Sequence, residues 1–263
     1  MSGAALDALL RRDRAVVAGA LGALTALCWL YILWLAAAMD MGGMDPRAMA
    51  PDFKPWGLAD DAFMAAMWTV MMVGMMTPSA APMILLYAQV GRHAAGQGRP
   101  FAAALWFAAG YLAAWAGFAL AATAAQWALE RAALLTPMLA SANDLFGGAA
   151  LVLAGLFQWT ALKDSCLAQC QAPLPFLHRH GGFRADARGA LALGARHGAY
   201  CVGCCWAAMA LLFVFGVMNL LWIAALAALA LVEKLLPWGR LVARTAGVGF
   251  MAAGVWLILA ALR

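Results

Sequence analysis

Long apolar runs separated by short charged islands set the pattern of this chain, and each run is roughly the 18–25 residues that a helix needs to cross a hydrocarbon core. Read in order, the pattern predicts spans over Ala15–Met39, Ala62–Val90, Phe101–Leu129, Asp144–Leu162, Tyr200–Val217, Leu220–Leu236 and Thr245–Leu262. Continuous stretches such as Ala15–Met39 exclude a barrel, whose strands alternate over about ten residues. The expectation is an all-α, polytopic transmembrane helix bundle of about seven spans, forming a single domain over residues 1–263. The weakest stretch is Ala199–Leu236, where only Gly216 to Asn219 separates two helices, each near the lower length for a span. Six spans with a re-entrant segment there are the alternative.

Composition agrees with the pattern. Of 263 residues, 67% are apolar and 11% charged, and the mean hydropathy of +0.84 lies outside the range of water-soluble domains. The net charge of +5 gives no reason to invoke nucleic acid, because the basic residues sit at helix ends, where they set orientation. Arg11, Arg12 and Arg14 place the N-terminus in the cytoplasm, and Arg92 and Arg99 do the same for the second loop. Lys163, Arg179, Arg184, Arg188 and Arg196 place the fourth loop there too. The first loop, with five aspartates between Asp40 and Asp61, and the third, with Arg131 alone, belong outside. The first apolar run is too long for a signal peptide and lacks a cleavage pattern, so it reads as an anchor in a bacterial cytoplasmic membrane.

Sulfur is unevenly distributed along these helices. Eleven of the sixteen methionines lie between Met39 and Met83, and five of the six cysteines between Cys166 and Cys205. The first loop opens with Asp40, Met41, Gly42, Gly43, Met44 and Asp45, which interleave thioethers and carboxylates on a glycine-rich backbone free to wrap an ion. Beyond it, Met64, Met67, Met71 and Met75 share an arc of roughly 80° at about 100° per residue, and Asp60 lies in the same arc. Packing accounts for such a stripe as well, because methionine fills irregular gaps between helices. It does not account for methionines beside aspartates at a membrane surface.

The second patch combines Cys166 and Cys170, spaced i, i+4, with His197, Cys201, Cys204 and Cys205. On one continuous helix the last four span about 100° of circumference and converge on a single neighbour. Soft ligands of this kind suit Cu(I), and zinc or iron are the other candidates. The competing chemistry is thiol–disulfide exchange, since Cys201 and Cys204 form a Cys-x-x-Cys near a helix start, where the dipole favours a thiolate. Buried cysteines also serve as small apolar residues. His178 and His180 read as solvated, Cys28 as packing, Glu233 and Lys234 as a neighbouring or cross-helix pair, and Gln126, Gln158 and Asn219 as interhelical hydrogen-bonding residues.

The strings Met39-Asp-Met-Gly-Gly-Met-Asp, Met71-Met-Val-Gly-Met-Met-Thr-Pro-Ser-Ala-Ala-Pro-Met, Leu162-Lys-Asp-Ser-Cys-Leu and His197-Gly-Ala-Tyr-Cys-Val-Gly-Cys-Cys-Trp carry a resemblance, together with Gly216-Val-Met-Asn and Glu233-Lys234. Over about Met39 to Arg240 the chain resembles the bacterial family of predicted metal-binding integral membrane proteins, a domain of unknown function. The resemblance implies membrane embedding and metal binding, and carries the metal reading to Met41, Met44, His197, Cys201, Cys204 and Cys205. The sequence therefore points to a copper-binding bundle with an outer methionine/aspartate patch and an inner cysteine/histidine site, its partners being lipid, the metal ion and further membrane or periplasmic proteins. A membrane redox enzyme, either a thiol–disulfide oxidoreductase or a copper- or iron-dependent oxidase, or an accessory subunit of one, is the alternative.

Overall fold

The structure, a computed structural model, describes residues 3–39, 56–93, 100–136 and 139–263. Their regular structure is helical: α1 (Gly3–Met39), α2 (Leu58–His93), α3 (Pro100–Arg131), α4 (Asp144–Phe157), α5 (Ala161–Gln171), α6 (Pro173–Arg179), α7 (Ala187–Ala210), α8 (Leu212–Phe215), α9 (Leu220–Leu235) and α10 (Gly239–Ala261). Among the described residues five helices are long and apolar enough to cross a membrane, or six if the bent pair α4–α5 forms one span. The all-α bundle is as expected, but the count of about seven is not reached. The expected span Leu220–Leu236 appears as α9, whose 16 residues reach only about 24 Å at 1.5 Å per residue.

Two further boundaries depart from the sequence pattern. The fourth apolar run is not one helix, because it breaks after Phe157 and the α5 axis turns away by 63°. Thr160 stabilises the new start, its hydroxyl oxygen accepting from the Lys163 N–H at 3.2 Å as a helix N-cap does. The fifth run begins at Ala187, well before Tyr200, with Asp186 as N-cap accepting from the Gly189 N–H at 2.7 Å. Arg188 and Arg196 lie on its exposed face, so charge does not interrupt the helix. The break expected between Gly216 and Asn219 is present: Gly216 has φ +99°, a left-handed conformation that favours glycine, and Asn219 caps α9 by accepting from the Trp222 N–H.

Small residues fix the tightest crossings, as expected where side chains gain nothing from leaving lipid and close packing decides association. The most extensive contacts join α3 to α7 and α4 to α10. A Cβ at Gly194 would stand 1.9 Å from the Phe107 carbonyl oxygen, and one at Gly110 2.0 Å from that of Leu191. On the other crossing Gly148 meets Gly254, and Gly155 meets Gly247. α2 runs through the buried cluster, with α1 and α3 against it and α9 on another side. It continues through Pro78 and Pro82 as one helix. Around them the Thr77 and Ser79 hydroxyls donate to the carbonyls of Val73 (2.6 Å) and Met76 (2.9 Å).

Candidate metal centre

The α3–α7 crossing sets the register of the site. With Gly194 and Gly198 pressed against α3, Cys201 comes to the Tyr111 hydroxyl at 3.1 Å, and that hydroxyl donates to the Met76 carbonyl of α2 at 3.0 Å. Cys201, Cys204 and Cys205 are all buried. The Cys204 and Cys205 thiols donate back to the Cys201 carbonyl at 3.1 and 2.9 Å, and Cys205 Sγ lies 3.9 Å from Met76 Sδ. From α5, Cys170 lies near Cys201 and Cys204. Cys166 is buried instead against Gly203, where an added Cβ would be 2.9 Å from its sulfur. All six cysteines are free thiols.

The thiols do not lie near the start of their helix, as the sequence pattern suggested. Because α7 starts at Ala187, Cys201 is the central residue of the 29-residue stretch Ala187–Phe215, about 21 Å from its start at 1.5 Å per residue.

α9 supplies the charge. Lys234 is 4% exposed, and its ammonium donates to Cys201 Sγ (2.9 Å) and Ser79 Oγ (3.2 Å), with Met76 Sδ at 3.7 Å and Cys205 Sγ at 3.8 Å. Glu233 does not pair with it. That carboxylate accepts from the buried Lys163 of α5 at 2.6 Å, while Gln171 donates to the carbonyls of Glu233 and Leu236 and holds the C-terminus of α9 against α5. A buried charge is costly unless paired or hydrogen-bonded, so these contacts are what permit three charged side chains in the core.

The other expected ligands fall into three groups. His197 is 2% exposed and sits among the rings of Phe107, Tyr111 and Phe176, and among the described residues its Nδ1 has no hydrogen-bond partner. Met67, Met71 and Met75 are buried in the same core cluster, while Met64 is half-buried with its sulfur 3.5 Å from Gln126 Nε2. Gln126 also accepts from Trp68 and donates to Glu130, whose other oxygen accepts from Trp56. Asp40, Met41, Met44 and Asp45 lie outside the described residues.

Four residues at the centre were not among the expected ligands: Met76, Ser79, Tyr111 and Lys234, the last having been read as one half of a charge pair with Glu233. A signal existed for the last, since an ionisable residue inside an apolar span marks function by default. For Met76 the signal was hidden, because it follows Met75 directly yet faces about 100° away from it.

Among the described residues no three His, Cys, Asp or Glu side chains already stand as a metal-ligating group; the thiols are engaged with one another, with a carbonyl and with Lys234. The donor set is nonetheless chemically specific. Thiols, a thioether and no carboxylate in contact with them make a soft site, which fits Cu(I) and does not fit a hard, oxygen-seeking ion.

Comparison with known proteins agrees with this chemistry. The model of the PpoB2 family, copper chaperones, matches residues 65–257, a stretch that contains every residue of the thiol centre. No curated protein and no solved structure matches the chain.

Proposed function

Taking as premise that the chain belongs to this copper chaperone family, we propose that it holds Cu(I) inside a bacterial cytoplasmic membrane, at the thiol cluster where α2, α3, α5, α7 and α9 meet. The observation that carries this reading is the convergence of Cys170, Cys201, Cys204, Cys205 and Met76 at the centre of a helix long enough to span a bilayer. Cu(I) bound there exchanges thiol hydrogens for metal, so Cys204 and Cys205 release the Cys201 carbonyl on loading. The outer loop with Asp40, Met41, Met44 and Asp45 collects the ion, and the thioethers of Met64, Met67, Met71 and Met75 line its way inward. Thioethers suit an oxidising exterior because they form no disulfides, and thiols survive best where reductant is at hand. His197, one turn before Cys201, is a further donor at the inner end.

Replacing Cys201 and Cys204 together by serine tests the reading. Full-length protein in detergent is loaded with Cu(I), and bound metal is measured by elemental analysis and by competition with a chromophoric Cu(I) chelator. The expected result is loss of bound copper from a variant that still unfolds cooperatively. Copper-free wild-type protein with a Cys201–Cys204 disulfide that cycles with reductant would put the oxidoreductase reading in its place.

A further inference from the structure

We propose that His180 is the exchange ligand of this centre, a half-exposed imidazole that takes Cu(I) from His197 when the Phe176 ring beside them both moves aside. The inference rests on the copper-holding reading and deepens it, naming the residue through which the cargo leaves.

His180 closes the C-terminus of α6 and is half-buried, and the backbone of that helix fixes its tautomer. Its Nδ1 stands 2.8 Å from the Phe176 carbonyl oxygen. A carbonyl can only accept, so Nδ1 carries the hydrogen of the neutral ring and Nε2 keeps the lone pair. Metal-binding imidazoles are commonly held in this way, one nitrogen ligating while the other donates to a carbonyl or carboxylate. Imidazole nitrogen also suits copper. The transfer is a ligand exchange without redox change: one Cu–N bond forms at Nε2 of His180 as the bond to His197 breaks, and Nε2 has no proton to lose.

From His180 the way inward is made of rings. Phe176 is 0% exposed, and its ring centroid lies 4.4 Å from that of His180 and 5.0 Å from that of His197. Among the described residues the two imidazoles make no ring contact of their own. Tyr200 closes the cage, 5.9 Å from His180 and 6.2 Å from Phe176. His197 stands one turn before Cys201 on α7, and its buried Nδ1 has no hydrogen-bond partner among the described residues. A buried polar atom left unpaired is costly, and a ligand role accounts for it. A phenyl ring offers no lone pair, so Phe176 separates an inner donor from an outer one and must swing before they can share an ion.

The test loads full-length protein in detergent with Cu(I) without air and follows its capture by an excess of a chromophoric Cu(I) chelator in a stopped-flow mixer, with affinity measured by equilibrium competition. His180→Ala should release copper about tenfold more slowly at wild-type affinity. Added imidazole should restore the rate of that variant and leave the wild type unchanged, which a structural role would not produce. His178→Ala, altering the exposed histidine two residues earlier, should release at the wild-type rate, and Phe176→Leu should release faster. Wild-type release from His180→Ala overturns the proposal, and so does slow release that imidazole fails to rescue or that His178→Ala shares. Those arms decide even if Phe176→Leu does not fold, and a folded Phe176→Leu with wild-type release overturns the gate. Failure of the underlying reading looks different: wild type and the Cys201/Cys204 double-serine variant would then retain equally little Cu(I) before any chelator is added, which overturns both.

Discussion

Met75 and Met76 are neighbours in the chain and both buried, yet only Met76 has its sulfur recorded beside a cysteine and a lysine. Leucine conserves methionine's volume, and such swaps in a core usually cost under about 1.5 kcal/mol, so Met→Leu separates ligand from filler. Met76→Leu should keep thermal stability near wild type and weaken Cu(I) binding by about tenfold, one soft donor being lost. The double change Met67→Leu and Met71→Leu should leave equilibrium affinity unchanged, because no thiol contact is recorded for those sulfurs. Chelator competition on the three proteins decides, and the opposite ranking would move the site onto the arc of Met64, Met67, Met71 and Met75. The same residues show why the centre was only partly legible in sequence. Spacing on α7 was enough to group Cys201, Cys204 and Cys205, since one helix carries them all. Tyr111, Met76 and Lys234 come from three other helices, and their meeting depends on crossings that no periodicity within one helix encodes.

At the scale of helices, glycine contacts hold that register, and they give a prediction with opposite signs at two positions. An added methyl at Gly117 meets nothing within 4 Å, so Gly117→Ala should gain up to about 1 kcal/mol from better helix propensity. Gly194→Ala drives the same methyl into the Phe107 carbonyl and should destabilise by about 1–3 kcal/mol, as overpacking does. Thermal unfolding in detergent measures both, and equal shifts would mean that α3 and α7 do not cross at these residues. Helices themselves were the most legible feature, because long apolar runs have few alternatives. Their ends were less so. The start of α7 was hidden by Arg188 and Arg196, which read as a loop but lie on an exposed face, and the α4–α5 bend has no proline or glycine at the break to announce it. The placement of Asn219 as interhelical glue is also corrected, since its recorded bond caps α9. Gln126 does bridge helices, while the amide of buried Gln158 has no hydrogen-bond partner among the described residues.

For the molecule as a whole, long-range contacts join segments at each end of the bundle and leave open which end faces the cytoplasm. Trp56 of the first loop meets Glu130 at the end of α3, and the Ser141 N–H donates to the Val214 carbonyl, which gathers these segments at one end. At the other end the Tyr87 hydroxyl donates to the Arg184 carbonyl and Arg244 donates to Asp164. If the orientation is as the distribution of basic residues leads one to expect, then in a background lacking native thiols a cysteine at Gly57 should react with an impermeant maleimide added to intact cells, and one at Ala185 only after lysis. Reversed labelling would invert the orientation and with it the assignment of compartments.

The burial of the thiols carries a consequence for exchange under the copper-holding reading. Cys201, Cys204 and Cys205 are 2%, 0% and 1% exposed, so a docked protein would find no sulfur to touch. An ion held by them would leave only when helices shift or when one buried donor passes it to another. Residence time would then follow the rate at which α7 and its neighbours part, independently of how tightly the ion is bound.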